Sequence, residues 1–253
     1  MITRRIATAL KRQDWATFTI ELILVIAGVL VALQLDQWNE NRKDRALETT
    51  FLITVKDDVR RDVADINESI HALTAITEFG KTALAALETD ACAERCWVKL
   101  VAFFHASQWI DVRPNRATYD EIKRTGLPRD QSLKERLTRY YEFSDQYNRV
   151  MYELPQYREF VRSVIPAEIQ DYLWATCFKI VGRKQTFVGD CEAPISEEQA
   201  AIIIGDLQAS DKTRESLNFW LSTVSVVNRA LPNQIVEAES VIFALSEYIE
   251  NAE

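Results

Sequence analysis

WATFTIELILVIAGVLVALQLDQW, residues 15 to 38, decides how the rest of the chain is read. Its single charge before Asp36 is Glu21, and the run from Leu22 to Leu33 is unbroken apolar sequence. Trp15, Ala16, Phe18, Ile20 and Leu35 extend that run to about 20 residues, the helix length that crosses a hydrocarbon core roughly 30 Å thick. Trp15 and Trp38 bracket it about 34 Å apart at ~1.5 Å per residue, where their amphipathic rings favour the two interfaces. Residues 15–38 are therefore expected to form a transmembrane signal-anchor helix in the lipid bilayer.

Arg4, Arg5, Lys11 and Arg12 precede the segment against one acid, Asp14, whereas Arg42, Lys43 and Arg45 beyond it are offset by Asp36, Glu40 and Asp44. The basic side stays in the cytoplasm. This predicts a cytoplasmic N-terminus over 1–14 and an exported, acidic domain over 39–253, the arrangement of a single-pass inner-membrane protein whose bulk lies in the bacterial periplasm. A cleaved signal peptide is the rival, but Val31, Ala32 and Leu33 before Gln34 make no A-x-A-like site, and the helix-forming DQWNENRKDRALE continues the run. Ile2, Ile6 and Leu10, with basic residues between, suit either a helix lying on an anionic leaflet or a solvated turn.

Within the span, Glu21, Gly28, Ala32 and Leu35 share one helix face. Gly28 and Ala32 form a small-x-x-x-small pair that lets backbones approach, and an intramembrane carboxyl turns toward protein or water. The face suits a membrane-protein partner or a second copy of the chain. Alternatively, Glu21 is protonated or snorkels to the headgroups.

Six Gly and six Pro among 253 residues are too few for a sandwich, barrel or propeller, so the expected fold class is all-α, a helical bundle with one small β-hairpin. A net charge of −8 disfavours nucleic-acid binding. A helix is expected from about 36 to 79, with Leu52, Val55, Val59, Ile66, Ile70, Leu73 and Thr77 at near-heptad spacing and Val63 beside them. Such a stripe zips to a twin or packs inside its own chain, and the later amphipathic segments favour the second. Gly80 is expected to end or bend it. Further helices are expected over 97–106, 118–125 and from 130 for about 25 residues. Ser196 and Gln199 form a capping-box pattern opening two last helices, and Pro232 is expected to interrupt the final one.

Cys177 to Cys191 encloses the strand-like piece. A two-residue turn at Gly182-Arg183 sets Phe178 opposite Phe187 and Ile180 opposite Gln185. An isolated hairpin is marginal in water, so a bond between Cys177 and Cys191 is expected, which leaves Cys92 to pair with Cys96. Four cysteines nevertheless allow three connectivities.

The anchor ELILVIAGVLVALQLDQWNENRK, the segment Arg116-Ala-Thr-Tyr119-Asp-Glu-Ile122-Lys-Arg-Thr-Gly126 and Leu133-Lys-Glu-Arg-Leu137-Thr-Arg-Tyr140-Tyr141 together resemble the bacterial "domain of unknown function 6090" family. The resemblance covers the anchor and about thirty residues of the middle, and implies a single membrane helix followed by an all-helical body. Pro128 and the Cys-flanked hairpin depart from the family's pattern. It brings no activity, and no catalytic residue can be carried over.

Chemistry-bearing motifs are sparse. Glu68 and His71 are one E-x-x-H step of the two that a di-iron bundle needs, and His105 has Ala102 where its partner acid would stand. There is no G-x-S-x-G elbow and no Gly-rich phosphate loop. No catalytic, cofactor-binding or metal residues are therefore expected. Tyr119, Tyr140, Tyr141 and Tyr147 are a possible interaction surface, or half-buried core at helical spacing. Lys56-Asp-Asp-Val-Arg-Arg-Asp reads as an exposed face laced with opposite charges. Placement thus points to an accessory or scaffold subunit of a membrane complex; the alternative is a periplasmic small-ligand sensor or carrier, with an enzyme third.

Overall fold

The computed structural model describes residues 15–89, 92–182 and 184–252, so the expectations for residues 1–14 and for Arg183 fall outside it. The chain divides between Phe51 and Leu52 into two compact units. Helix α1, Trp15–Ala86, begins in the first. The second holds its C-terminal part followed by α2 (Cys96–Ala106), α3 (Ala117–Arg124), α4 (Gln131–Val150), α5 (Gln156–Val164) and α6 (Ala167–Thr176), then strands β1 (Phe178–Val181) and β2 (Lys184–Phe187), and finally α7 (Glu197–Gln208) and α8 (Asp211–Ala252). The described residues are thus mainly helical with one small two-stranded sheet.

The heptad stripe packs within its own chain. Leu52, Val55, Val59, Ile66, Leu73 and Ile76 are buried, and Ile66, Leu73 and Ile76 join one apolar cluster with Trp97, Leu100, Phe103, Phe104 and Trp220. Ile70 and Thr77, expected on the stripe, are half-buried flanks. α4 packs along α8, and α2 along α7.

Helix α2 is mostly buried, with Lys99 its one charged side chain, so its unpaired end groups need partners from elsewhere in the protein. At its N-terminus, the Glu197 carboxylate accepts the N–H groups of Cys96 and Trp97, placing a negative charge where the helix dipole favours one. At its C-terminus the Tyr157 hydroxyl donates to the Phe103 carbonyl at 3.2 Å, and Trp220 Nε1 donates to the Ala106 carbonyl at 2.9 Å. Elements far along the chain therefore hold both ends of the buried helix.

The capping box at Ser196 forms, with Gln199 N–H donating to Ser196 Oγ and Ser196 N–H to Gln199 Oε1. The hairpin pairs Phe178 with Phe187 and Ile180 with Gln185, in the register read from the sequence. Cys177 and Cys191 lie at disulfide distance with Cα atoms 5.4 Å apart, as do Cys92 and Cys96 at 5.8 Å.

Gly80 does not end its helix, and Pro232 does not interrupt its own. α1 runs through Gly80 to Ala86, because the glycine serves a close approach of α8: a Cβ there would stand 2.9 Å from Leu221 Cδ1. α8 likewise continues through Pro232. A proline inside a helix removes one backbone hydrogen bond, but the buried neighbours Leu231 and Gln234 keep that turn packed.

Candidate functional site

Every side chain described between Phe18 and Leu47 on α1 is exposed. An 18-residue window there has mean hydropathy 2.4 with none of it buried, so α1 is long and apolar enough to cross a membrane. Trp15 and Trp38, at the two ends of the apolar segment, are 60% and 64% exposed. Glu21, Gly28 and Ala32 lie on the same exposed stretch, and a Cβ at Gly28 would meet nothing within 4 Å.

In the second unit, a cluster of hydrogen-bonded polar groups lies where α1 meets the segment from Asn115 to Thr118. Asp58 and Asp62, one helical turn apart, are both buried, at 2% exposure. Asn115 joins them: its backbone N–H donates to Asp62 Oδ1 at 2.9 Å and its Nδ2 to Asp58 Oδ1 at 3.3 Å. The Thr118 hydroxyl donates to Asp58 Oδ2 at 2.6 Å, Arg61 pairs with Asp58, and the Tyr140 hydroxyl donates to Asp62 Oδ2 at 3.0 Å. On the outer side, Arg116 donates two 2.9 Å bonds to Asp145, and the rings of Tyr119 and Tyr141 stack with centroids 4.1 Å apart.

Asp62 differs from Asp58 in having hydrogen-bond donors but no ion-pair partner among the described residues. Burial pushes its carboxyl up to about 6, against the hydrogen bonds of Asn115 and Tyr140, which favour the ionised form. Burial, with the Asp62 charge next in weight, also holds the hydroxyls of Tyr140 and Tyr141 far above the usual tyrosine range, so both stay neutral donors.

Asp62 also lines a small groove with Asp65, Ser69, Asp111 and Arg113, and this adjoins a second groove of about 180 Å³ between Glu68 of α1, Asp111 and the hairpin residues Ile180 and Gln185. Both are open and bordered by acidic side chains. Glu68 borders the second groove while His71 points to solvent. His105 is buried among the rings of Phe79, Phe187 and Phe104, at 4.7, 5.3 and 5.7 Å, with Nε2 3.2 Å from the Val188 carbonyl. Burial lowers its imidazole to about 4, so it stays neutral. Among the described residues no group of three or more His, Cys, Asp or Glu side chains is placed to hold a metal ion.

Two expectations about these side chains are overturned. Tyr119, Tyr140 and Tyr141 are no interaction surface: they are 4%, 0% and 1% exposed and serve as core, each ring packed on another tyrosine of the trio. The side chain of Tyr147 lies outside the described residues. Asp58 and Asp62, read from sequence as part of an exposed charged face, are buried instead. The signal was present, because Leu52, Val55, Val59, Asp62, Ile66, Ser69, Leu73 and Ile76 alternate by three and four, and Asp62 therefore occupies a core position of the heptad.

No family model matches the chain, and neither a curated protein nor a solved structure does.

Proposed function

We propose that the chain is a single-pass inner-membrane protein that acts by binding, as an accessory or scaffold subunit of a membrane-protein complex. Residues 15–38 span the bilayer, 1–14 remain in the cytoplasm and 39–253 form the periplasmic body. The observation that carries this reading is the exposure of every described apolar side chain from Phe18 to Leu35, an arrangement costly in water and favourable in lipid. The basic flank before Trp15 supports the orientation. The two cysteine pairs support export, because an oxidising compartment closes both as disulfides and staples the hairpin.

Within the bilayer, Glu21, Gly28 and Ala32 present the face that a partner helix, or a second copy of the chain, packs against. The resemblance to the "domain of unknown function 6090" family supports the same topology. Its middle segment supplies Arg116, Tyr119, Tyr140 and Tyr141, whose side chains lock α3 and α4 to one another and, through Tyr140, to α1. The carrier alternative calls for an enclosed apolar chamber, and the open grooves beside Asp111 lend it no support.

Purification of the full chain in a mild detergent, followed by mass spectrometry, tests the proposal. A stoichiometric membrane protein or a homo-oligomer is expected, lost when Gly28→Leu blocks the helix face. Recovery of a lone monomer contradicts it.

A further inference from the structure

We propose that Arg158 and Arg162 of α5, together with Gln108, form a binding site for a small oxyanion of the carboxylate or phosphate type. Both guanidinium groups converge on the Ser107-Gln108 pair at the end of α2. Arg158 Nη1 donates to the Ser107 carbonyl at 2.9 Å and to Gln108 Oε1 at 3.4 Å, and Arg162 Nε donates to Ser107 Oγ at 2.9 Å. An arginine carries five N–H donors, so these contacts occupy a minority of what the pair offers.

Among the described residues neither arginine has an ion pair with a carboxylate, although the chain holds 38 acidic residues. Arg162 is held from the sides by aromatic faces, 3.9 Å above Phe104 and 4.9 Å from Trp174, which position a cation without satisfying its N–H groups. Two donors of this cluster are buried with no acceptor among the described residues: Arg162 Nη2 and Gln108 Nε2. Gln108 is 2% exposed, and donation from Arg158 to its Oε1 fixes the amide with its NH2 turned away from that arginine. Buried donors of this kind cost free energy unless an acceptor meets them, and a charged acceptor meets two cations best.

The ends of α2 do not supply that acceptor. The Phe103, Phe104 and Ala106 carbonyls already accept from Tyr157, Ser107 and Trp220. Arg158 and Arg162 are half-buried, so part of each side chain reaches solvent although the Arg162 Nη2 and Gln108 Nε2 donors themselves do not. Burial and the neighbouring Arg158 charge lower the Arg162 guanidinium to about 9, a penalty that a bound anion would relieve.

The test uses the full chain in detergent at pH 7, melted in the presence of sodium phosphate or, separately, sodium acetate, against sodium chloride at matched ionic strength. A saturable rise of about 3–6 °C at roughly ten times Kd is expected for at least one oxyanion. The rise should vanish in Arg162→Met, which keeps the stem between Phe104 and Trp174, and shrink in Gln108→Leu. Gln108→Leu also serves where Arg162→Met does not fold. A response to phosphate alone assigns a phosphate site, whereas a response to acetate as well assigns general oxyanion recognition. Oxyanion curves that match chloride overturn the proposal, since bound water then satisfies these donors; so does a rise that persists undiminished in the variants.

Discussion

The Tyr140 hydroxyl donates a 3.0 Å hydrogen bond to Asp62, tying the middle of α4 to a carboxylate set in the apolar stripe of α1. Both side chains are at 2% exposure or less. Tyr140→Phe removes one of the two donors that stabilise this buried charge and should cost about 1–3 kcal/mol. Replacing the partner too, as Tyr140→Phe with Asp62→Leu, should recover part of that loss, because two apolar groups leave no orphaned carboxylate. Urea denaturation followed by tryptophan fluorescence measures both.

Acidity acts on two buried groups in opposite senses. Asp62 titrates near 6 when folded against an ordinary 3.8, so between those values the folded protein keeps a proton that the unfolded chain has released. Its contribution to stability falls as pH rises through that window. His105 titrates near 4 when folded against an ordinary 6.5, so there the unfolded chain takes up a proton that the folded protein refuses. That contribution is lost as pH falls from 6.5 toward 4. At ~1.4 kcal/mol per unit each effect is on the order of 3 kcal/mol, and they oppose one another between the two values. Asp62→Asn should therefore lose stability more steeply than the wild type on acidification from pH 6.5 to 4, and His105→Gln less steeply. Denaturation midpoints at pH 4, 5, 6 and 7 decide the matter, and three parallel profiles would refute it.

The hairpin carries a further test. Its strands have four residues each, too few to persist alone, and the bond expected between Cys177 and Cys191 closes a loop with a sequence separation of 14. Cys177→Ser with Cys191→Ser should cost about 3 kcal/mol in the chain-entropy picture, and removal of the shorter Cys92 to Cys96 loop about 2. Non-reducing peptide mapping should find these two pairings; four free thiols would contradict both pairing and export.

Much of this architecture is legible in the sequence because it is local. The Phe178 to Phe187 register follows from a two-residue turn, and the Ser196 capping box from residues three apart. What escapes is set by distant contacts. Gly80 looks like a helix end until Leu221 of α8 arrives beside it. Asp62 looks solvated until Asn115 and Tyr140, 53 and 78 positions away, supply its hydrogen bonds. Tyr119 and Tyr141 look available for a partner until they stack on each other. The same holds for Arg162, whose place between Phe104 and Trp174 is fixed by the packing of three helices.

Gly28→Leu adds a bulky side chain where nothing stands within 4 Å in the isolated chain, so the folding of the second unit, from Leu52 onward, should be unaffected. Lateral association should fall, read as loss of a crosslinked species in membranes. Unchanged crosslinking removes Gly28 from the interface.

The placement of α1 is tested most directly by fusing two reporters in turn after residue 253, a phosphatase that is active only once exported and a fluorescent protein that matures only in the cytoplasm. The account predicts phosphatase activity in the membrane fraction, with the mature protein still carrying residues 15–38. Fluorescence from the cytoplasmic fusion, or a mature chain that starts beyond Gln34, would contradict it.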